Sequence, residues 1–309
     1  MGKMNGPSIL RIFLVFVAII SSALSASAVV KADQGEEILR ATYQRNIANL
    51  KQSSFKLPLY LESFEKGDRV HVDIYGIFDY PFKSIVSVLD RPANWCDIVP
   101  LHPNVKACTY SVAPGSGLMT FYIGHKVYEP PEEAHQVIYH FKTVAQQSGY
   151  LDLLLSAEDG PFGTSDHRMR FEALPVNGKQ TFVHVSSEYS DSLALRLAGK
   201  AYFATLGRSK VGFTVTGKDG DGKNIYITGP RGAIERSAVR YYFAIQSYMN
   251  ALSTPEPALF RMRSSSWYDL TARYREQLFD LEKKEYLTIK SAEHKNQLLL
   301  QERIKSGRK

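Results

Sequence analysis

Apolar and polar residues alternate at a period of two through the middle of the chain, and recur at helical spacing towards its two ends. From Asp33 to Leu50 acidic residues open a stretch in which Ile38, Leu39, Tyr43, Ile47 and Leu50 fall three or four apart, predicting a helix. Leu57 to Glu62 predicts a strand, and Glu65-Lys66-Gly67-Asp68 a turn into the next, where Val70, Val72, Ile74 and Phe78 share one face and Gly76 is expected to mark a bend. Pro81 ends that strand and opens a short helix to Leu89, with Phe82, Ile85, Val86 and Leu89 as its apolar face. Asp90-Arg91-Pro92 stops the helix, and Trp95 is expected in a turn.

Short alternating strands then follow at regular intervals: Lys106 to Val112, Leu118 to Tyr128, His135 to Val144, Tyr150 to Leu155, Met169 to Leu174 and Thr181 to Tyr189. Pro114-Gly115-Ser116-Gly117, Pro130-Pro131, Gln146 to Gly149 and Asn177-Gly178 punctuate them, and Gly217 to Gly222 joins a further hairpin. Asp191 to Leu206 reads equally as helix or strand. Gly232 to Leu252 predicts a long helix ended by Pro255 and Pro257. Beyond it Ser266-Trp267-Tyr268-Asp269 reads as a capping box for a last helix with Trp267, Leu270, Tyr274, Leu278 and Leu281 on one face. After Lys290 the pattern is too polar to predict order. Runs of short strands without intervening helices favour an α+β fold built on an antiparallel sheet.

The first 28 residues read as a signal peptide. Lys3 and Arg11 form its basic region, Ile12 to Leu24 its apolar core and Ala26-Ser27-Ala28 its cleavage site. That apolar run is shorter than the roughly 20 residues of a membrane span, so the expected product is exported, periplasmic or secreted. Of the formal charge of +7, the tail from Arg261 to Lys309 carries 12 basic and 7 acidic residues, whereas Val29 to Phe260 carries 24 of each. The basic character therefore belongs to the tail. Three readings of it stand open: a solvated helix packed on the body, a peripheral contact with anionic lipid, and a coiled-coil pairing. Nucleic acid is not expected as a partner of an exported chain. Cys96 and Cys108, with eleven residues between them, read as a structural disulfide, which would contribute on the order of 3 kcal/mol.

Pro81-Phe82 through Leu89, then Pro92-Ala93-Asn94-Trp95, many antiparallel strands and the helical Arg231 to Leu252 together resemble the START-like superfamily of polyketide cyclases and lipid-transfer proteins. The resemblance implies a helix-grip fold: a curved antiparallel sheet around a long helix, with an apolar cavity between them. It divides the chain into a signal peptide (1–28), a helix and strand extension (29–68), the helix-grip domain (69–254) and a basic amphipathic helical tail (255–309). The implied partner is a hydrophobic small molecule or lipid.

By position on alternating strands and the long helix, Phe121, Tyr139, Phe141, Phe182 and Tyr242 are candidates to line the cavity, with Trp95 at its rim. Each also suits an ordinary core. His102, His125, His135, His140, His167 and His184 have no ligand-spaced partners, so no metal site is assigned, and no cofactor signature is present. Asp219 to Asn224 superficially suggests a calcium loop but fits a hairpin turn, and Gly160 to Asp166 reads first as a plain loop, with a lid beside the cavity mouth as the alternative. No catalytic residue is assigned, because no sequence-local nucleophile motif occurs. The reading favours a lipid-binding protein that works near a membrane, ahead of an enzyme of the same fold acting on a small apolar substrate, or a structural protein with a filled core.

Overall fold

The computed structural model describes residues 32–113, 116–205 and 209–307; the expected signal peptide lies outside them. Helix α1 (32–51) leads into strands β1 (Leu59–Lys66) and β2 (Arg69–Phe78), helices α2 (Phe82–Leu89) and α3 (Pro92–Ile98), and a 3-10 turn over Val99–Leu101. Six strands follow: β3 (Val105–Ala113), β4 (Ser116–Ile123), β5 (His135–Gln146), β6 (Leu151–Asp159), β7 (Thr164–Pro175) and β8 (Thr181–Asp191). Helix α4 (Leu193–Ala204) and the hairpin of β9 (Val215–Lys218) and β10 (Asn224–Tyr226) precede the long helix α5 (Gly229–Asn250). The tail holds α6 (Leu259–Thr271), α7 (Arg275–Leu278) and α8 (Lys283–Lys305).

The first eight strands form one curved antiparallel sheet in the order β1-β2-β8-β7-β6-β5-β4-β3. Strand β1 pairs with β2 and each strand from β3 to β7 with the next, while β2 pairs with β8 from Arg69↔Ser190 to Phe78↔Thr181. The side-chain period of two then sorts each strand between two faces. Val70, Val72, Ile74, Leu153, Leu155, Phe171, Val183 and Val185 turn inward and pack with Val239, Phe243 and Ile245 of α5. This is an α+β fold in which a curved antiparallel sheet grips the long helix α5, as the strand order and the inward faces show.

Gly76 does not bend its strand, because it is paired without interruption to Leu59 on one side and Val183 on the other. It is needed because α5 comes close: a Cβ at that position would lie 2.0 Å from the Tyr242 hydroxyl. Gly76→Ala is expected to cost about 1–3 kcal/mol through overpacking, read as a lower urea midpoint at unchanged slope. A midpoint equal to the native one would show that Tyr242 yields freely.

Several local expectations are corrected. Trp95 lies within α3, where Pro92 takes the first helical position and removes no needed N–H. The stretch 191–206 resolves as β8 ending at Asp191 and α4 starting at Leu193, with Ser192 Oγ accepting from the Leu195 N–H at 3.2 Å. Ser266 starts no helix, because α6 already runs through it from Leu259. Order also persists past Lys290, where α8 continues to Lys305.

Helix α8 lies along the open edge of β3 and reads its backbone. Gln297 Oε1 accepts from the Cys108 N–H at 2.7 Å while its Nε2 donates to the Cys96 carbonyl at 2.8 Å. Gln301 does the same for both backbone groups of Tyr110, at 2.8 and 3.0 Å. Four helical residues rise about 6 Å and two strand residues about 6.6 Å, so one turn of α8 keeps step with each outward position of β3. Further back, Lys290 Nζ donates to the carbonyls of His102 and Val105, and Lys106 Nζ to those of Pro103 and Val127. Both ammonium groups meet the buried carboxylate of Glu293, at 2.9 Å from Lys106 and 2.7 Å from Lys290. An edge that would otherwise invite another strand is thereby closed. The Cys96–Cys108 disulfide ties α3 to the same strand.

On the outer face of the sheet, α1 covers Tyr75, Tyr150, Leu174 and Phe182. Beside them runs a charged chain. His184 Nε2 meets Asp73 and its Nδ1 meets Glu172, both at 2.8 Å. Tyr150 donates to Glu172, Arg170 forks onto Asp152, and His71 bridges Asp73 and Glu188.

Candidate ligand cavity

A cavity of about 280 Å³ opens between the concave face of the sheet and the N-terminal half of α5. Strands β4, β5, β7 and β8 supply Ile123, Tyr139, Met169 and Tyr189. Helix α5 supplies Ile234, Ser237 and Tyr241, whose spacing of three and four sets them on one stripe. His102 and Val105, at the start of β3, close one end. Pro161, His167, Arg168 and Glu188 stand at the mouth, so the loop beginning at Gly160 does border the cavity.

The polar groups inside are neutral, for physical reasons that can be named. Burial, reinforced by the nearby cations Arg240, Lys126, Lys290 and Lys106, holds the pKa of His102 well below its ordinary value. Its Nδ1 accepts the Asn104 N–H at 3.1 Å, which leaves the proton on Nε2, 3.4 Å from the Ser237 hydroxyl. The imidazole stacks on Tyr241 with centroids 4.8 Å apart. His167 is also held low by burial, against a weak opposite pull from Asp166, and sits 2.7 Å from Thr164 Oγ1. Its ring stacks on Tyr189 and meets Tyr139 edge-on. Burial raises the phenol pKa of Tyr139 and Tyr241, so both stay protonated. The carboxylate at the mouth, Glu188, is shared among Arg69, Arg168 and His71. The lining therefore offers aromatic faces and uncharged donors and acceptors.

Of the residues expected to line the cavity, Tyr139 does so. Phe121 stands behind it, ring centroids 4.5 Å apart, and Phe141 is buried in the same inward-facing core. Trp95 is buried: its Nε1 donates to the Leu89 carbonyl at 2.7 Å and its ring meets Phe171 edge-on, so it seals the core and does not stand at a rim. Phe182 is on the other face of the sheet, stacked with Tyr75 and tilted against Tyr43 of α1, because its position in β8 has the outward parity. Tyr242 turns to Gly76 and Phe78; its neighbour Tyr241 faces the cavity. The signal for Ile234, Ser237 and Tyr241 was present as a helical stripe interrupted by a hydroxyl. His102 could not be found in this way, since it lies outside the regular elements. A broader groove of about 500 Å³ lies on the outer face, between α1 and the start of β1, lined by Tyr43, Leu50 and Leu57.

No protein-family model matches the chain, and no curated protein matches it. Among solved structures, the STAR-related lipid transfer protein from Xanthomonas axonopodis is similar at 13% identity and a TM-score of 0.33, covering 48% of this chain and 88% of its own. Norcoclaurine synthase from Thalictrum flavum is similar at 14% identity and a TM-score of 0.32, over 47% of this chain and 87% of its own. A START superfamily protein from Mycobacterium smegmatis is similar at 15% identity and a TM-score of 0.30, over 45% and 92%. At these values neither ligand nor reaction passes from them to this chain.

Proposed function

We propose that the protein is an exported carrier of a hydrophobic ligand, held in the cavity between the sheet and α5. The observation that supports this most directly is the lining: tyrosine faces and two neutral imidazoles around about 280 Å³. That volume, room for roughly nine waters at ~30 Å³ each, lies just below the range of about 300–1,000 Å³ common for ligand sites. It suits a compact, ring-bearing or short-chain lipid with an uncharged polar end better than a two-chain lipid. Inside, the Nε2–H of His102 and the hydroxyl of Ser237 would bond the polar end while Met169 and Ile234 hold the apolar part. The export reading rests on the sequence of residues 1–28 and agrees with the disulfide, the form cysteines take in oxidising compartments. No described helix is long and apolar enough to cross a membrane.

Native mass spectrometry of gently purified protein is expected to show a bound small molecule, and a short-chain fluorescent fatty acid should compete for the same site. Ser237→Leu fills the cavity and removes the hydroxyl, so probe affinity should fall at least about tenfold, equivalent to ~1.4 kcal/mol, while the thermal midpoint hardly moves. A native protein with neither bound mass nor probe uptake would exclude the carrier reading.

A further inference from the structure

Among its described side chains, helix α4 turns two leucines outward. Leu193 and Leu197 are 70% and 61% exposed, and Ala198 and Ala201 share their exposed side. Leu195 and Arg196 are half-buried against the body. A helix of a water-soluble domain ordinarily has the reverse arrangement. The charge of the surrounding segment is also one-sided. From Ser192 to Lys218, between Asp191 and Asp219, it contains Arg196, Lys200, Arg208, Lys210 and Lys218 and no Asp or Glu, within a body from Val29 to Phe260 that carries 24 basic and 24 acidic residues in all. Placement adds a third observation. Tyr189 lines the cavity, and three residues later Ser192 caps α4. A Cβ on Gly163 would lie 3.6 Å from Ser192 Oγ, so the helix starts against the loop that borders the mouth.

We propose that α4 is an interfacial helix that docks the mouth of the cavity on an anionic lipid bilayer. Leu193 and Leu197 enter the boundary between headgroups and acyl chains, and the basic residues of the segment meet lipid phosphates, the pairing such helices use. A bilayer is favoured over a protein groove because exposed leucines and alanines in a segment that is net basic, with Asp191 before its first turn, fit a negatively charged apolar interface. The solvent side of α8 mixes both signs, with Glu285 and Glu302 among Lys283, Lys284, Lys295 and Arg303, and its buried side is taken by β3. Docking stands on α4 and does not depend on which ligand the cavity holds.

The test is flotation of the folded protein with vesicles of phosphatidylcholine alone and of an equal mixture of phosphatidylcholine and phosphatidylglycerol. The native protein should float with the mixed vesicles and much less with the neutral ones, and rising salt should release it. Leu193→Gln with Leu197→Gln should lower the bound fraction at least about tenfold, and Arg196→Gln with Lys200→Gln should abolish the preference for anionic lipid. Lys295→Gln with Arg303→Gln on α8 should change neither. Leu193, Leu197, Lys295 and Arg303 are exposed and Arg196 is half-buried, and circular dichroism with a thermal midpoint checks folding of each variant. Absence of native flotation on anionic vesicles overturns the proposal, as does binding that the leucine variant retains or a loss matched by the α8 variant. Self-association of the native protein that the leucine variant abolishes, without vesicle binding, would assign α4 to a second copy instead. Probe uptake by the leucine variant, measured without vesicles, separates failure of docking from failure of the carrier reading.

Discussion

Glu293→Gln is expected to destabilise the protein by about 3–5 kcal/mol, the largest single loss at any position outside the apolar core. The size follows from what the carboxylate faces. Lys106 and Lys290 are both buried, and each ammonium has three donors with three partners: two backbone carbonyls and one oxygen of Glu293. An amide keeps the shape and removes the charge, leaving two cations out of water with no counter-ion. Urea unfolding at pH 7 measures the loss. Burial, against the pull of Glu293, already lowers the Lys290 pKa to about 8, so the variant should recover part of its stability as pH rises above 8 and that proton leaves. A triple change, Glu293→Leu with Lys106→Met and Lys290→Met, should recover most of it at pH 7 because no uncompensated charge remains. If Glu293→Gln costs under about 1 kcal/mol, water reaches the cluster and the edge closure by α8 is looser than the contacts indicate.

The same helix shows what the sequence concealed. Strand after strand was legible because each has one face in the core, and alternation records that directly, as at Val70, Val72 and Ile74. Helix α8 docks through Lys290, Glu293, Gln297 and Gln301, because its partner is a row of backbone groups and not apolar surface. A search for an apolar stripe therefore finds nothing to hold it, although the spacing of four between the glutamines was present. Gly76 misled in a similar way: the absent side chain records the approach of Tyr242 from far along the chain, which no local pattern contains. In the cavity the choice between Tyr241 and Tyr242 turns on one step of about 100° around α5. Strand parity, coarser and more robust, places Tyr139 on the inward face. The chain of His71, Asp73, His184 and Glu172 had the pattern of a solvated sheet face, and its members meet because β2, β7 and β8 are neighbours in space.

That chain also sets how stability should vary with pH. Burial acts to lower the pKa of His184, but the hydrogen bonds its ring donates to the Asp73 and Glu172 carboxylates outweigh it and raise it to about 9. A histidine whose pKa is higher folded than unfolded stabilises fully below the unfolded value of 6.5 and loses that contribution as pH rises towards the folded one. With 1.36 kcal/mol per unit, His184 contributes on the order of 3 kcal/mol at pH 6.5, and about half of that should be gone by pH 8. His71, raised by the same kind of contact with Asp73 and Glu188 against the cost of burial, adds to the slope. Above pH 8 the trend should flatten, because Lys126 and Lys290, both lowered to about 8 chiefly by burial, then favour the folded state as pH increases. On the acid side two causes act together. Asp73 and Glu172 are held below the ordinary carboxylate range by His184 despite burial, so their contribution is lost as pH falls through it. The cavity histidines His102 and His167, kept neutral by burial, must take up protons below about 6.5 to match the unfolded chain. Stability should therefore peak near pH 6.5, and urea midpoints taken from pH 5 to 9 would trace the dome. His184→Gln removes most of the alkaline slope between 6.5 and 8, leaves the share of His71, and keeps the acid limb of the cavity histidines in place. A native profile that is flat from 6.5 to 8, or a variant with the native slope, would mean that His184 is not the bridging cation between Asp73 and Glu172.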